Sequence, residues 1–287
     1  MHNNTSKSLG LYVPTLRYGK PNNYQLRRVL GYGSDTLEYQ RSQNGYPPYY
    51  YAPKDRMLRA YSFSAVKTAV TPILDPRSQQ EVLKNWEARV GKEEADRIRN
   101  EAISAGNIGH SMLEKWNAGK PLGVYPMNMA GYVQALENQI LPYLQKSSEP
   151  IAVVDDAGDW VTLSEVFVVD FDQQFLGRLD LVVEIAAAPF TGKRVLLELK
   201  GSLKEKSIEH MRGNIIQAVA YLTTFNAIAA LCPEQMEPLD GMAMAYMYSS
   251  GNGQVIPILG EEIQEYADEW QQWLACFHDI LEDRCAA

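Results

Sequence analysis

The pattern of apolar and polar positions divides the chain into three textures. Residues 1–60 are rich in Gly, Pro, Asn and Tyr and show no sustained period, which predicts mostly loop or an extended arm. From Ser62 the spacing turns helical. Asp75 followed by Pro76 has the form of a helix start, an N-cap with proline in the first turn, and Gly91 supplies the stop. A second helix is predicted over 93–116, ending at Gly119, and a third over 129–145, with Pro142 bending its last turns. After Pro150 the runs 151–154, 161–171, 175–185 and 194–199 are apolar or alternating and rich in β-branched residues, as strands are. A long helix over 207–231, strands over 242–248 and 255–259, and a helix over 261–282 complete the order. This succession predicts an α/β fold, a mixed central β-sheet flanked by helices. The division is an arm (1–60), a helical region (61–148) and a core with a C-terminal helix (149–287), with 62–287 as one integrated domain.

Composition narrows the class. With 287 residues, 46% hydrophobic and 22% charged, the chain can bury a sizeable core and is not a disordered sequence. The purest apolar stretch, 215–231, is broken by Gln217, Tyr221, Thr223, Thr224 and Asn226, so no membrane span is expected. Residues 1–7 lack the apolar core of a secretory signal, and Cys232, Cys276 and Cys285 are too few for a disulfide framework. A cytoplasmic location is the expectation.

The net charge of −8 argues against a protein that coats nucleic acid nonspecifically, yet it conceals an asymmetry. Residues 1–60 hold nine Lys/Arg against three acids, a local +6, and ten of the 17 tyrosines precede residue 62. Cations and exposed rings suit a nucleic-acid strand, with ammonium groups on phosphates and rings under bases. The same residues also suit a polar extension that wraps the domain. From Glu261 onward eight acids face only Arg284, the composition of a solvated helix face.

Two predicted strands carry the chemistry. Along 177–183 Leu179, Leu181 and Val183 oppose Asp180; along 195–200 Leu197 and Leu199 oppose Glu198 and Lys200. The midpoint between positions 180 and 198 falls at Pro189, in a turn-like stretch, so a hairpin there sets Asp180 roughly across from Glu198. Two carboxylates side by side need a neutralising cation, and oxygen ligands suit Mg²⁺ or Mn²⁺. A lysine two residues on can hold a scissile phosphate or an attacking water. On the preceding helix His110 and Glu114 stand at i and i+4, with Gly106 and Gly109 allowing close backbone approach. Gln217 and Tyr221 form a polar i, i+4 pair on the later apolar helix.

In this order and setting, Gly109-His110 with Glu114, Gly177-Arg178-Leu179-Asp180, Glu198-Leu199-Lys200 and Gln217-x-x-x-Tyr221 resemble the RecB-like branch of the PD-(D/E)xK nuclease superfamily. That branch includes the RecB and AddB nuclease domains, the mitochondrial genome maintenance exonuclease and phage exonucleases. The resemblance spans about residues 62–250. It implies a restriction-endonuclease-like core with an N-terminal helical region and the Tyr/Arg-rich arm. It implies metal ligation by His110, Asp180, Glu198 and the Leu199 carbonyl, with Lys200 as catalytic lysine. Gln217 and Tyr221 would orient the lysine strand or the DNA backbone, Glu165 would support the site, and Arg178 would touch phosphate or be a strand-edge charge. The cofactor implied is Mg²⁺ or Mn²⁺. No iron–sulfur cluster is expected, because the four cysteines that hold one in AddB are not here. No Walker A motif occurs, so an unwinding partner would be a separate helicase chain, as would any single-strand-binding protein. The expected function is a metal-dependent DNA exonuclease acting on single-stranded ends in phage-type replication, recombination or repair. The alternatives are a flap endonuclease with the same core and a non-catalytic nucleic-acid-binding or virion structural protein.

Overall fold

The structure is a computed structural model, and it describes residues 8–17, 24–42, 45–74, 79–145, 152–154, 158 and 160–286. The expected helix start at Asp75 and Pro76 lies outside the described residues, as do residues 1–7 and the boundary at Pro150.

Most of the expected arm is a meander of five strands: β1 (Leu9–Arg17), β2 (Tyr24–Gly31), β3 (Thr36–Gln40), β4 (Tyr49–Ala52) and β5 (Asp55–Ser62). Successive strands pair antiparallel. Tyrosine is the reason. On β4, Tyr50 and Ala52 are buried while Tyr49 and Tyr51 are half-buried, the alternation of a one-sided strand in a residue type that favours pleated surface. Composition alone makes such a segment look loose and polar.

Helices α1 (Phe63–Leu74), α2 (Gln79–Val90) and α3 (Lys92–Asn117) follow. The expected third helix is shorter and irregular: α4 (Ala130–Ala135) passes into a π turn over Leu136–Ile140 and a 3₁₀ turn over Leu141–Tyr143 around Pro142. Then come β6 (Leu144–Gln145), β7 (Ala152–Val154), β8 (Trp160–Thr162), β9 (Phe167–Asp170), β10 (Phe175–Arg178), β11 (Leu181–Ile185) and β12 (Arg194–Ser202). Helix α5 (Ile208–Leu231), strands β13 (Gly241–Tyr248) and β14 (Gly253–Leu259), and helix α6 (Glu261–Ala286) end the chain.

These strands do not make the single central sheet flanked by helices expected of a PD-(D/E)xK core. Seven of them close a mixed barrel, in the order β1-β2-β3-β4-β5-β10-β9, and five make a second, half-barrel sheet, β14-β13-β12-β11-β6. The correction has a local cause. The run 175–185 is not one strand: it breaks at Leu179-Asp180, sending β10 to the barrel and β11 to the other sheet. The run 161–171 divides likewise between β8, which pairs with β7, and β9. Alternation in a sequence reports burial, not which sheet a strand joins.

Helix α5 is long and apolar enough by length and composition to cross a membrane. Here it packs on β12 and β13 of the open sheet and on β1 and β9 of the barrel, so most of its surface is core. On β12 Leu196 faces the apolar cluster of α5, and Leu197 and Leu199 face that of α3. Burial of both faces accounts for the continuous apolar runs of β12 and β13.

Candidate active site

The break between β10 and β11 builds the site. β11 pairs with β12 from Leu181↔Leu197 to Glu184↔Arg194, the register that a turn centred on Pro189 imposes. Asp180, one residue before β11, leaves the ladder, and its carboxylate fills the position a continuing strand would occupy. Its Oδ2 accepts the Leu199 N–H at 2.8 Å. The N–H and C=O of one residue in a strand point to the same edge, so the Leu199 carbonyl faces this side of β12 too.

His110 reaches the same edge from α3. The helix comes close because Gly109 has no side chain: a Cβ there would lie 2.4 Å from Met247 Cε and 2.7 Å from Leu199 Cδ2. Gly106, by contrast, faces open space. His110 Nδ1 stands 3.1 Å from Glu165 Oε1 and 3.2 Å from Asp180 Oδ1. Glu165 is not on a strand, as its sequence neighbours led us to expect. It sits in a turn with φ 57°, left-handed and costly for a residue with a Cβ, and its N–H donates to the Asp180 carbonyl at 3.2 Å. Such strain gathers at functional sites. One ligand atom from each of His110, Glu165 and Asp180 lies within 4.8 Å of the others.

The predicted residues thus meet in one place. Glu165, read as supporting, joins the potential ligand group, while Glu198 is held beside it by Lys200, whose Nζ donates to Glu198 Oε1 at 2.5 Å. Glu198 is buried, and its Oε2 has no hydrogen-bond partner among the described residues. Lys200 Nζ also lies 3.4 Å from Gln217 Oε1, and Gln217 Nε2 donates to the Tyr221 hydroxyl at 2.8 Å. Tyr221 fits because Gly177 lies opposite its ring; a Cβ there would be 2.2 Å from Tyr221 Cδ1. Arg178 Nη1 pairs with Glu165 Oε2 at 3.2 Å, so its guanidinium serves the acidic group first. Glu114 is exposed and does not line the cleft.

The charges are interlocked. Burial works against a protonated His110, but Asp180 and then Glu165 outweigh it and raise the imidazole to about 10. Burial likewise pushes Asp180 up, and His110, Lys200 and the Leu199 N–H together hold it below the ordinary carboxylate range. Burial and the adjacent Asp180 raise Glu198 to about 7, against the pull of Lys200 and His110. Lys200 loses solvation by burial and regains more from Glu198 and Asp180, which raise it.

His110, Asp180, Glu198 and Lys200 line a cleft of about 780 Å³, and Glu165 stands behind His110 and Asp180. The same cleft is lined by Tyr39 and Tyr50 of the barrel, by Tyr46 of the β3–β4 connection, and by Ser64 and Thr68 of α1. Arg284 at the end of α6 donates to the Gly45 carbonyl at 2.8 Å and ties the β3–β4 connection to the C-terminal helix. The sequence marked the tyrosine-rich segment for contact with a strand, but not the barrel that holds it nor Ser64 and Thr68 beside it. No protein-family model matches the chain, and no curated protein matches it.

The donor set fits a hard divalent cation. Carboxylate oxygens and one imidazole converge, and the buried, unpartnered Glu198 Oε2 is the kind of orphaned acceptor that a cation satisfies.

Proposed function

We propose that this chain is a Mg²⁺- or Mn²⁺-dependent deoxyribonuclease that removes nucleotides from strand ends and prefers single-stranded DNA. The observation that carries the reading is the convergence of His110, Glu165 and Asp180 beside the Glu198–Lys200 pair, with His110, Asp180, Glu198 and Lys200 lining an open cleft. The resemblance in motif order supports the same chemistry. Bound by His110, Glu165 and Asp180, with Glu198 alongside, the ion supplies Lewis-acid activation of water and of the scissile phosphate.

The side chains do the rest. Lys200 Nζ, held between Glu198 and Gln217, meets a non-bridging phosphate oxygen and stabilises the charge that grows there as water adds to phosphorus. Gln217, fixed by Tyr221, sets the direction of that ammonium. The attacking water gives its proton to solvent, the phosphorus–ester oxygen bond breaks, and the leaving alkoxide takes a proton from solvent.

The test uses an end-labelled linear single strand and a closed single-stranded circle, each with EDTA, Mg²⁺ or Mn²⁺. Metal-dependent loss of the linear strand alone is expected. Lys200→Ala is expected to bind DNA and lower turnover about a hundredfold or more. Cutting of the circle would replace the exonuclease with an endonuclease. DNA binding without cleavage under either metal would replace both with a binding protein.

A further inference from the structure

The cations that line the cleft are of two kinds. His110 stands against Asp180 and Glu165, Arg178 pairs with Glu165, and Lys200 pairs with Glu198. Arg284, near the end of α6, also lines the cleft, and among the described residues no carboxylate pairs with it. Its Nη1 donates to the Gly45 carbonyl at 2.8 Å, and the next residue, Cys285, has its Sγ 3.4 Å from the Tyr46 hydroxyl. Arg284 and Tyr46 are therefore neighbours in the cleft lining. Tyr39 lines it from β3, where it is the cross-strand partner of Tyr50. Those two rings meet edge to face, centroids 5.5 Å apart and planes at 62°, a contact that occupies at most one face of Tyr39. Tyr39 and Tyr46 are half-buried and braced by packed apolar residues, Tyr39 by those of the barrel and Tyr46 by those around α5 and α6. Among the described residues the only carboxylates that line the cleft are Asp180 and Glu198. In a chain of net charge −8, the rest of the lining is thus free of acids.

We propose that Tyr39, Tyr46 and Arg284 form a nucleotide subsite of the cleft, in which unpaired bases stack on the two tyrosine rings and a phosphate beside Tyr46 meets the Arg284 guanidinium. The subsite rests on the nuclease reading for its ligand but not for its test. Stacking on a ring tolerates any sequence, because every base has a π face. The guanidinium has five N–H donors in a fixed fork, of which the Gly45 carbonyl takes one, and the fork matches two oxygens of a phosphate. Lining free of acids lets a polyanion come close, and the uncompensated charge of Arg284 attracts it. A base inside a duplex already has both faces stacked, so only an unpaired one can lie on Tyr39 or Tyr46. That requirement accounts for a preference for single strands.

The experiment measures binding of a fluorescent oligothymidylate, and of an abasic strand of the same length and charge, in EDTA from about 50 to about 200 mM salt. The wild type should hold the base-bearing strand more tightly. Tyr39→Leu and Tyr46→Leu keep apolar bulk for the barrel and α6 and lose the ring; each is expected to weaken oligothymidylate about tenfold and to leave the abasic strand unchanged. Tyr39→Phe and Tyr46→Phe should retain most of the affinity. Arg284→Gln keeps a donor for the Gly45 carbonyl and should lower the salt slope by about one for both strands alike. Equal wild-type affinity for the two strands would overturn the subsite without any variant. So would leucine variants that bind oligothymidylate as the wild type does, or that lose both strands equally. Binding in EDTA is independent of turnover. A protein that shows the base dependence yet cleaves nothing with either metal fails only the nuclease reading, and one that cleaves with base-independent binding fails only the subsite.

Discussion

His110 is protonated at neutral pH in the metal-free protein, because Asp180 and Glu165 both face its Nδ1. Its folded pKa is raised from 6.5 to about 10, so the stability it contributes is complete below 6.5 and is lost as pH rises towards about 10. In EDTA, thermal stability should fall through that window, and His110→Gln should flatten the fall above pH 7, where Glu198 has already titrated. A variant with the wild-type alkaline slope would show that the imidazole is not so held. Metal must displace the same proton, so Mn²⁺ affinity should rise with pH over the same range. At this scale the sequence was partly legible. Glu198 and Lys200 follow from strand alternation and the register from one hairpin midpoint, both local properties, whereas Asp180 sits at a strand break that alternation does not show. Glu165 does not follow either, since its position depends on a left-handed turn against Asp180.

Elements meet closely at glycines. Gly177 on β10 leaves the room that Tyr221 of α5 fills, and Tyr221 in turn holds Gln217 against Lys200. Gly177→Ala forces a methyl group into the tyrosine ring, an overpacking worth about 1–3 kcal/mol. Its melting temperature should drop by several degrees and cleavage should fall with it. Unchanged melting and cleavage would mean that β10 and α5 are not coupled. The helices were legible where their periodicity was long, as in α3 and α5, and so were β12 and β13, whose apolar runs are short and bounded by turns. The strands before Ser62 were not. Their inward residues are tyrosine, alanine and single leucines among charged neighbours, a weak alternation until a barrel gives it an inside.

For the whole molecule, the barrel changes what the basic, tyrosine-rich N-terminal segment is for. An arm could be removed with loss of DNA affinity alone. Removing residues 1–55 takes β1 to β4 from a closed barrel and uncovers Phe167, Val169 and Leu176. The truncated chain should therefore aggregate or lose its cooperative melting transition, as judged by size-exclusion chromatography and calorimetry. A monodisperse, cooperatively melting truncation would restore the arm.

The barrel's closing pieces lie far along the chain from its first five strands. The β9–β10 hairpin inserts between β1 and β5, pairing with β1 through four residue pairs and with β5 through two. During synthesis the five-stranded meander therefore waits, with both edges open, until residues 167–176 leave the ribosome. The chain that completes the barrel runs directly on to Asp180. Nascent protein thus has no assembled acidic site while its first sheet is still incomplete. Closure of the barrel's edges and the placing of Asp180 beside Glu165 thus belong to one continuous stretch of chain.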